Sequence, residues 1–123
     1  MIYDIETIRA MFNGNAVRFT QHFRNRIKER GIRFSEVKQV IYNGEIIEEK
    51  PDDQPIPSVL ILGHANGKKI HVVVGIDDDL LWLITTYIPT DEIWEDDYKK
   101  RKDIEEWNVY TVKAIWFPAP HLI

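Results

Sequence analysis

Residues 58–88 read SVLILGHANGKKIHVVVGIDDDLLWLITTYI, and this stretch decides the fold. Asn66-Gly67 lies between two runs of apolar and β-branched residues, a setting in which Asn-Gly is typical of a tight hairpin turn. The acidic triplet at 77–79 separates the second run from a third one, which ends at Pro89. The sequence therefore predicts consecutive antiparallel strands at 58–63, 69–76 and 80–88.

The segment before this stretch has the apolar spacing of helices. We expect helices at 4–12, 20–31 and 35–43. Thr20 and Ser35 are suited to cap the second and third helices, and Gly31 to end the second in the left-handed conformation. Residues 45–49 indicate a further short strand. The predicted class is α+β, with N-terminal helices packed on a four-stranded antiparallel sheet.

More structure is expected after Pro89. The run 91–102 has acids at its start and bases at its end, which complements the dipole of a short C-terminal helix. The segment 107–117 is rich in β-branched and aromatic residues and predicts an extra C-terminal strand. We expect one domain at residues 1–103 and a C-terminal extension at 104–123. The extra strand should pair with its own sheet edge or with a second subunit, giving a monomer or a homodimer.

Composition narrows the class of protein. The chain has 123 residues, 44% of them apolar, which suits one packed core. It contains no cysteine, so disulfides and thiolate metal sites are excluded. No apolar run approaches the length of about 20 residues that spans a bilayer, and none resembles a signal peptide. We expect a cytoplasmic protein that does not bind membranes.

Charge is distributed unevenly along the chain, although the net charge is only −4. Residues 14–33 hold six basic residues and the single acid Glu29, whereas residues 45–97 hold thirteen acids and three lysines. The six are Arg18, Arg24, Arg26, Lys28, Arg30 and Arg33. This asymmetry predicts a local positive surface that attracts a polyanion. The alternative is an ordinary solvated helix face.

A column of His22, Arg26 and Arg30 is predicted on the second helix. Residues four apart stack on one helical face, so the imidazole and the guanidiniums should lie together. Phe19, Phe23 and Ile27 have the same spacing and form the apolar stripe beside the column. We therefore expect the cationic column to border the core.

A set of ordered motifs links this helix to the strands. They are His22-x-x-x-Arg26-x-x-x-Arg30-Gly31-Ile32, Asn43–Glu48, Pro57-Ser58, Leu62-Gly63, Ile70–Val73, Ile84–Pro89 and Trp94. Over roughly residues 18–102, this order resembles the small prokaryotic family catalogued as domain of unknown function 4258. That family is similar in pattern to RelE-type toxins, which are metal-independent ribonucleases. The resemblance implies a RelE-like fold, toxin-type endoribonuclease activity on free or ribosome-bound RNA, and an inhibitor (antitoxin) protein as partner.

The chemistry of such an enzyme can be matched to residues of these motifs. Metal-free RNA cleavage needs a base for the 2′-hydroxyl, cations for the phosphorane and an acid for the leaving oxygen. His22 and His71 are the candidates for proton transfer, and Arg26 and Arg30 for holding phosphate. Thr86 and Tyr87 are candidates to orient the phosphate or, for Tyr87, to stack on a base. We expect no cofactor and no metal, because His22, His64, His71 and His121 show no ligand spacing.

Structural roles are open for every candidate. His71 suits a hydrogen-bonded packing residue, Arg26 an ion pair with an acid such as Glu48 that fixes helix to sheet, and Arg30 the neutralisation of a helix dipole. Thr86 and Tyr87 suit ordinary strand packing. Two functions therefore stay open: a metal-independent endoribonuclease, and a non-catalytic RelE-like module that binds a protein or nucleic acid.

Overall fold

The computed structural model describes residues 3–102, and its class is α+β, as predicted. The elements in chain order are α1 (Ile5–Asn13), β1 (Val17–Phe19), α2 (Gln21–Arg30), α3 (Phe34–Asn43), β2 (Glu45–Lys50), β3 (Ser58–Ala65), β4 (Lys68–Asp77) and β5 (Leu80–Tyr87). The predicted extra strand at 107–117 and the extension 104–123 lie outside the described residues. None of the helices within 3–102 is long and apolar enough to cross a membrane.

The sheet has five strands in the order β1-β5-β4-β3-β2. The antiparallel run of β3, β4 and β5 and the pairing of β2 with β3 agree with the prediction. The expectation of a purely antiparallel, four-stranded sheet was wrong, because β1 adds a parallel strand beside β5. The amide of Leu81 donates to the carbonyl of Ala16, and the amide of Thr20 donates to that of Leu83. Phe19 consequently lies in a strand and not in the apolar stripe of α2.

The observed ends of the helices confirm some of the predicted caps and not others. Thr20 caps α2 by accepting from the amide of Phe23, and Gly31 ends α2 at φ 64°. The predicted Ser35 cap was wrong: α3 begins at Phe34, and the carboxylate of Glu36 accepts from the amide of Arg33. A carboxylate three residues into the helix replaces the hydroxyl, because it satisfies an amide that would otherwise lack a partner.

Both faces of the sheet are covered. Alternate residues of β4 point to opposite sides, so Val72 packs in a core beneath the helices while Val73 packs in a second cluster. The second cluster contains Ile56, Leu60, Val73, Ile84, Tyr87 and Trp94. Part of its cover comes from the segment that follows β5.

That segment does not form the predicted helix. Residues 91–102 make turns and a bridge between Trp94 and Arg101. The Trp94 ring is buried, and the Arg101 guanidinium lies 4.7 Å from its centroid while bonding Glu48 on β2. In a helix, residues seven apart would be separated by about 10 Å along the axis. Folding back over Trp94 to reach Glu48 therefore replaces the helix.

Candidate functional site

The helix α2 is attached to β5 at its start. The Thr20 hydroxyl donates to the carbonyl of Ile84 at 2.9 Å, and Phe23, one turn into the helix, is buried in the main core. These contacts hold α2 against the C-terminal half of β5. The last basic residue of α2, Arg30, lies beside the end of β5, where it bonds Thr86.

His22 is buried against β5. The residue is 4% exposed, and its Nε2 lies 3.1 Å from the hydroxyl oxygen of Thr85. The pKa of His22 is lowered to about 4, by burial first and then by the charges of Arg26 and Arg30, while the charge of Glu29 acts in the opposite direction. The sequence predicted the like-charge effect; burial, which is the larger cause, depends on the tertiary structure. His22 is accordingly neutral at pH 7.

The two arginines of the column have different neighbours. Arg26 forms an ion pair with Glu29 at 2.6 Å, one turn further along α2. The structural alternative of an ion pair that fixes Arg26 to the sheet through an acid such as Glu48 was wrong, since Arg26 pairs with Glu29 on its own helix and Glu48 pairs with Arg101. Arg30, which is exposed, donates to the Thr86 carbonyl at 2.7 Å and lies 6.0 Å from the centroid of the Tyr87 ring. Arg30 thus joins the end of α2 to the end of β5.

His71 is fully buried on the sheet face that carries Trp94. Its Nε2 lies 2.8 Å from the carbonyl oxygen of Tyr98, and its Nδ1 lies 3.2 Å from the hydroxyl of Tyr87. Because a carbonyl can only accept, Nε2 carries the proton, and Nδ1 accepts from Tyr87 in the neutral ring. The pKa of His71 is lowered to about 4, mainly by burial and slightly by the charge of Arg101, while the hydrogen bond to the Tyr98 carbonyl acts in the opposite direction. With both nitrogens engaged, His71 matches the packing alternative geometrically.

Thr86 and Tyr87 connect these groups. The Thr86 hydroxyl donates to the carbonyl of His71 at 2.8 Å and is fully buried. Tyr87 is 8% exposed, and burial raises the pKa of its phenol. The structure thus brings Arg30, Thr86, Tyr87 and His71 into one set of contacts. His22 lies against Thr85 instead, and Arg26 is paired along its own helix.

An open cleft of about 430 Å³ lies where α2 and β5 end. Its lining residues are Arg30, Tyr87, Ile88, Pro89, Thr90, Ile93 and Trp94. Sequence reasoning selected Arg30 and Tyr87 but missed the other five as site residues. Pro89 was a usable signal, because a proline directly after a strand forces the chain out of the ladder and opens space at the sheet end.

Arg101 and Glu48 pack behind Trp94. The sequence analysis did not select either as a site residue. The guanidinium bonds the carboxylate at 2.9 and 3.1 Å while it lies over the Trp94 ring, which forms part of the cleft wall. The pair joins residues 53 positions apart. No local pattern indicates such a pairing. In residues 3–102, no cluster of three or more His, Asp and Glu side chains is arranged to hold a metal ion.

Comparison with known proteins gives one family. The sequence model of the family described as Domain of unknown function (DUF4258) matches residues 19–88, which is more than half of the chain. The chain therefore belongs to that family. The matched region begins at Phe19 and ends at Ile88, so it contains α2 and the whole of β5. No curated protein and no solved structure gives a significant match.

Proposed function

We propose that this DUF4258 domain binds single-stranded RNA along α2 and the cleft at its end. The observation that carries the proposal is the placement of Arg30. Arg30 is exposed and lines the cleft, its guanidinium donates to the Thr86 carbonyl, and it ends a helix that also carries the exposed Arg24 and Lys28. A fixed guanidinium is well suited to phosphate, because its planar donors match the phosphate oxygens.

The surrounding charge supports a polyanionic ligand. Five of the six basic residues in 14–33 are exposed: Arg18, Arg24, Lys28, Arg30 and Arg33. The only acid of this region, Glu29, is occupied by Arg26. A local positive surface on a chain of net charge −4 attracts phosphate groups without making the whole protein a polycation. The choice of RNA over other polyanions follows the resemblance to RelE-type ribonucleases.

Binding is tested with a fluorescein-labelled single-stranded RNA and fluorescence anisotropy over a salt series. Arg30→Ala should weaken binding by about 10-fold or more, because a hydrogen bond to a charged group contributes about 1.5 to 3 kcal/mol. It should also reduce the slope of log K against log salt by about 0.7, the value for one phosphate contact on a single strand. Thermal melting checks that the variant is folded.

Lys38→Ala is the matched control, since Lys38 is an exposed cation on α3, outside the proposed surface. It should leave the affinity near that of the wild type. Equal weakening by both substitutions would mean that binding depends on total charge and not on this surface. Failure of the wild type to bind RNA at low salt would end the proposal.

A second candidate function is metal-independent endoribonuclease activity. The observation that favours it is a neutral imidazole, His22, close enough to Arg26 and Arg30 for their charges to act on its pKa. A neutral imidazole can accept the proton of a 2′-hydroxyl, and the guanidiniums can stabilise the phosphorane. Because His22 is nearly buried, RNA must displace the contact with Thr85 for this chemistry to occur.

Cleavage is tested on naked and ribosome-bound RNA in the presence of EDTA. The products should be a 2′,3′-cyclic phosphate and a 5′-hydroxyl. His22→Ala should lower the rate by about 10² to 10⁴, the range for a proton-transfer group. His64→Ala is the control, since His64 is an exposed histidine on β3. If inhibitor-free protein cleaves neither substrate, the domain is a binding module without this activity.

A further inference from the structure

The walls of the cleft beside Arg30 combine apolar surface with one cation. Ile88 is 41% exposed although it directly follows β5, the half-buried Ile93 extends the apolar wall, and the buried Pro89 completes its lining. The volume of about 430 Å³ lies within the range of about 300 to 1,000 Å³ for small-molecule sites, which are mostly apolar with a few polar groups. An apolar surface next to a guanidinium, a group whose donors match phosphate oxygens, suits a nucleotide.

Both walls are held in place by hydrogen bonds. On one side, Arg30 is fixed by the Thr86 carbonyl at 2.7 Å. On the other, the carbonyl of Thr90 accepts from the amides of Ile93 and Trp94 at 3.3 and 3.1 Å, which closes the turn after β5. A cleft between fixed walls loses little conformational entropy when a ligand enters.

We propose that this cleft holds one unstacked nucleobase of the bound RNA strand, with the adjoining phosphate on the guanidinium of Arg30. This inference rests on the proposed RNA binding and names the part of the nucleotide that each wall contacts. The base packs against Ile88 and Ile93, the two apolar lining residues that are not buried, since the flat face of a base stacks on apolar and aromatic side chains. Arg30 uses one N–H for Thr86, which leaves further guanidinium donors for the phosphate.

The charges around the cleft determine which side of it the RNA backbone occupies and which side the base occupies. Asp91 and Glu92 are exposed directly after Thr90, so the negative potential is on the side of the turn. Lys28 and Arg30 place the positive potential on the side of α2. Phosphates are attracted to the α2 side, while an uncharged base tolerates the acidic side. The backbone of the strand therefore runs along α2 and the base points toward the turn.

The experiment compares two fluorescein-labelled octamers with the full chain: oligouridine, and a ribose-phosphate octamer of the same charge that lacks bases. The wild type should bind oligouridine about 10-fold more tightly, in the range expected from one stacked base. Ile88→Ser should remove most of that preference and leave the affinity for the abasic octamer unchanged. Arg30→Ala should weaken both complexes to a similar extent.

Phe34→Ser is the matched control, because Phe34 on α3 is exposed to the same degree, 40%, but lies away from the cleft. It should retain the preference for oligouridine. Equal binding of both octamers by the wild type would overturn the base site while leaving RNA binding intact. Absence of binding to either octamer would overturn the proposed function itself. A preference that survives Ile88→Ser would place the base elsewhere on the domain.

Discussion

Lowering the pH from 7 to 5 should destabilise the domain through its two buried histidines. Burial lowers the pKa of His22 and of His71 from 6.5 to about 4. Below pH 6.5 these histidines are therefore protonated in the unfolded chain but stay neutral in the folded one. The free energy of unfolding consequently falls as the pH falls toward 4. Stability from this source is fully present above about pH 7 and is lost between 6.5 and about 4.

The size of the effect follows from the shifts. A pKa difference of one unit corresponds to 1.36 kcal/mol, and a partial titration at pH 5 gives a loss of about 2 kcal/mol for each histidine. The two together give about 4 kcal/mol, a large part of the 5 to 15 kcal/mol that stabilises a typical domain. For a chain of this length the melting temperature should fall by roughly 15 °C.

Urea unfolding at pH 7, 6 and 5 measures the effect, and the Cε1 proton shifts of the histidines in an NMR titration give the pKa values directly. His22→Gln and His71→Gln should each remove about half of the pH dependence, whatever their effect on stability at pH 7. His64→Gln, at an exposed position on β3, is the control and should retain it. If both buried imidazoles titrate near pH 6.5, or if the unfolding free energy is flat between pH 7 and 5, the reasoning is refuted.

Three further substitutions test how the site is held. Glu36→Gln should lower the free energy of unfolding, measured in urea at pH 7, by about 1 to 3 kcal/mol. The buried carboxylate, whose pKa is lowered to about 2, accepts from the groups of Arg33, Asn66 and Lys68. An unchanged free energy of unfolding would contradict this network. Thr20→Val should cost about 1 to 2 kcal/mol by removing the cap of α2, and an unchanged melting temperature would argue against that cap. Gly63→Ala should cost about 1 to 3 kcal/mol, because an added Cβ would lie 2.8 Å from the Cα of Val40; a stabilised variant would mean that α3 can move away.

Local signals were sufficient for much of the fold. The Asn66-Gly67 turn joins β3 to β4 as predicted, and Thr20 and Gly31 bound α2 as predicted. These features depend on the backbone preferences of a few adjacent residues, which any chain expresses in sequence. The family could also be recognised from the sequence, since its motifs occur in order along the chain.

The candidate site could be predicted only in part from the sequence. The spacing of His22, Arg26 and Arg30 follows from the helical repeat and brought two arginines and a histidine to one helix. The spacing did not predict that His22 is buried or that both ring nitrogens of His71 are hydrogen-bonded, because burial depends on which strand packs against each ring. Spacing along a helix reports neighbours and does not report solvent exposure.

The sequence by itself determined the α+β class, the antiparallel run of β3 to β5 and the basic character of α2, because repeat, turn and charge are properties of short segments. Only the tertiary structure decided that residues 17–19 pair with β5 and that residues 91–102 fold into turns over the sheet. The same applies to the pair of Arg101 and Glu48 behind the cleft. Each of these depends on contacts between segments distant in the chain, whose free energy exceeds the weak local preference for a helix.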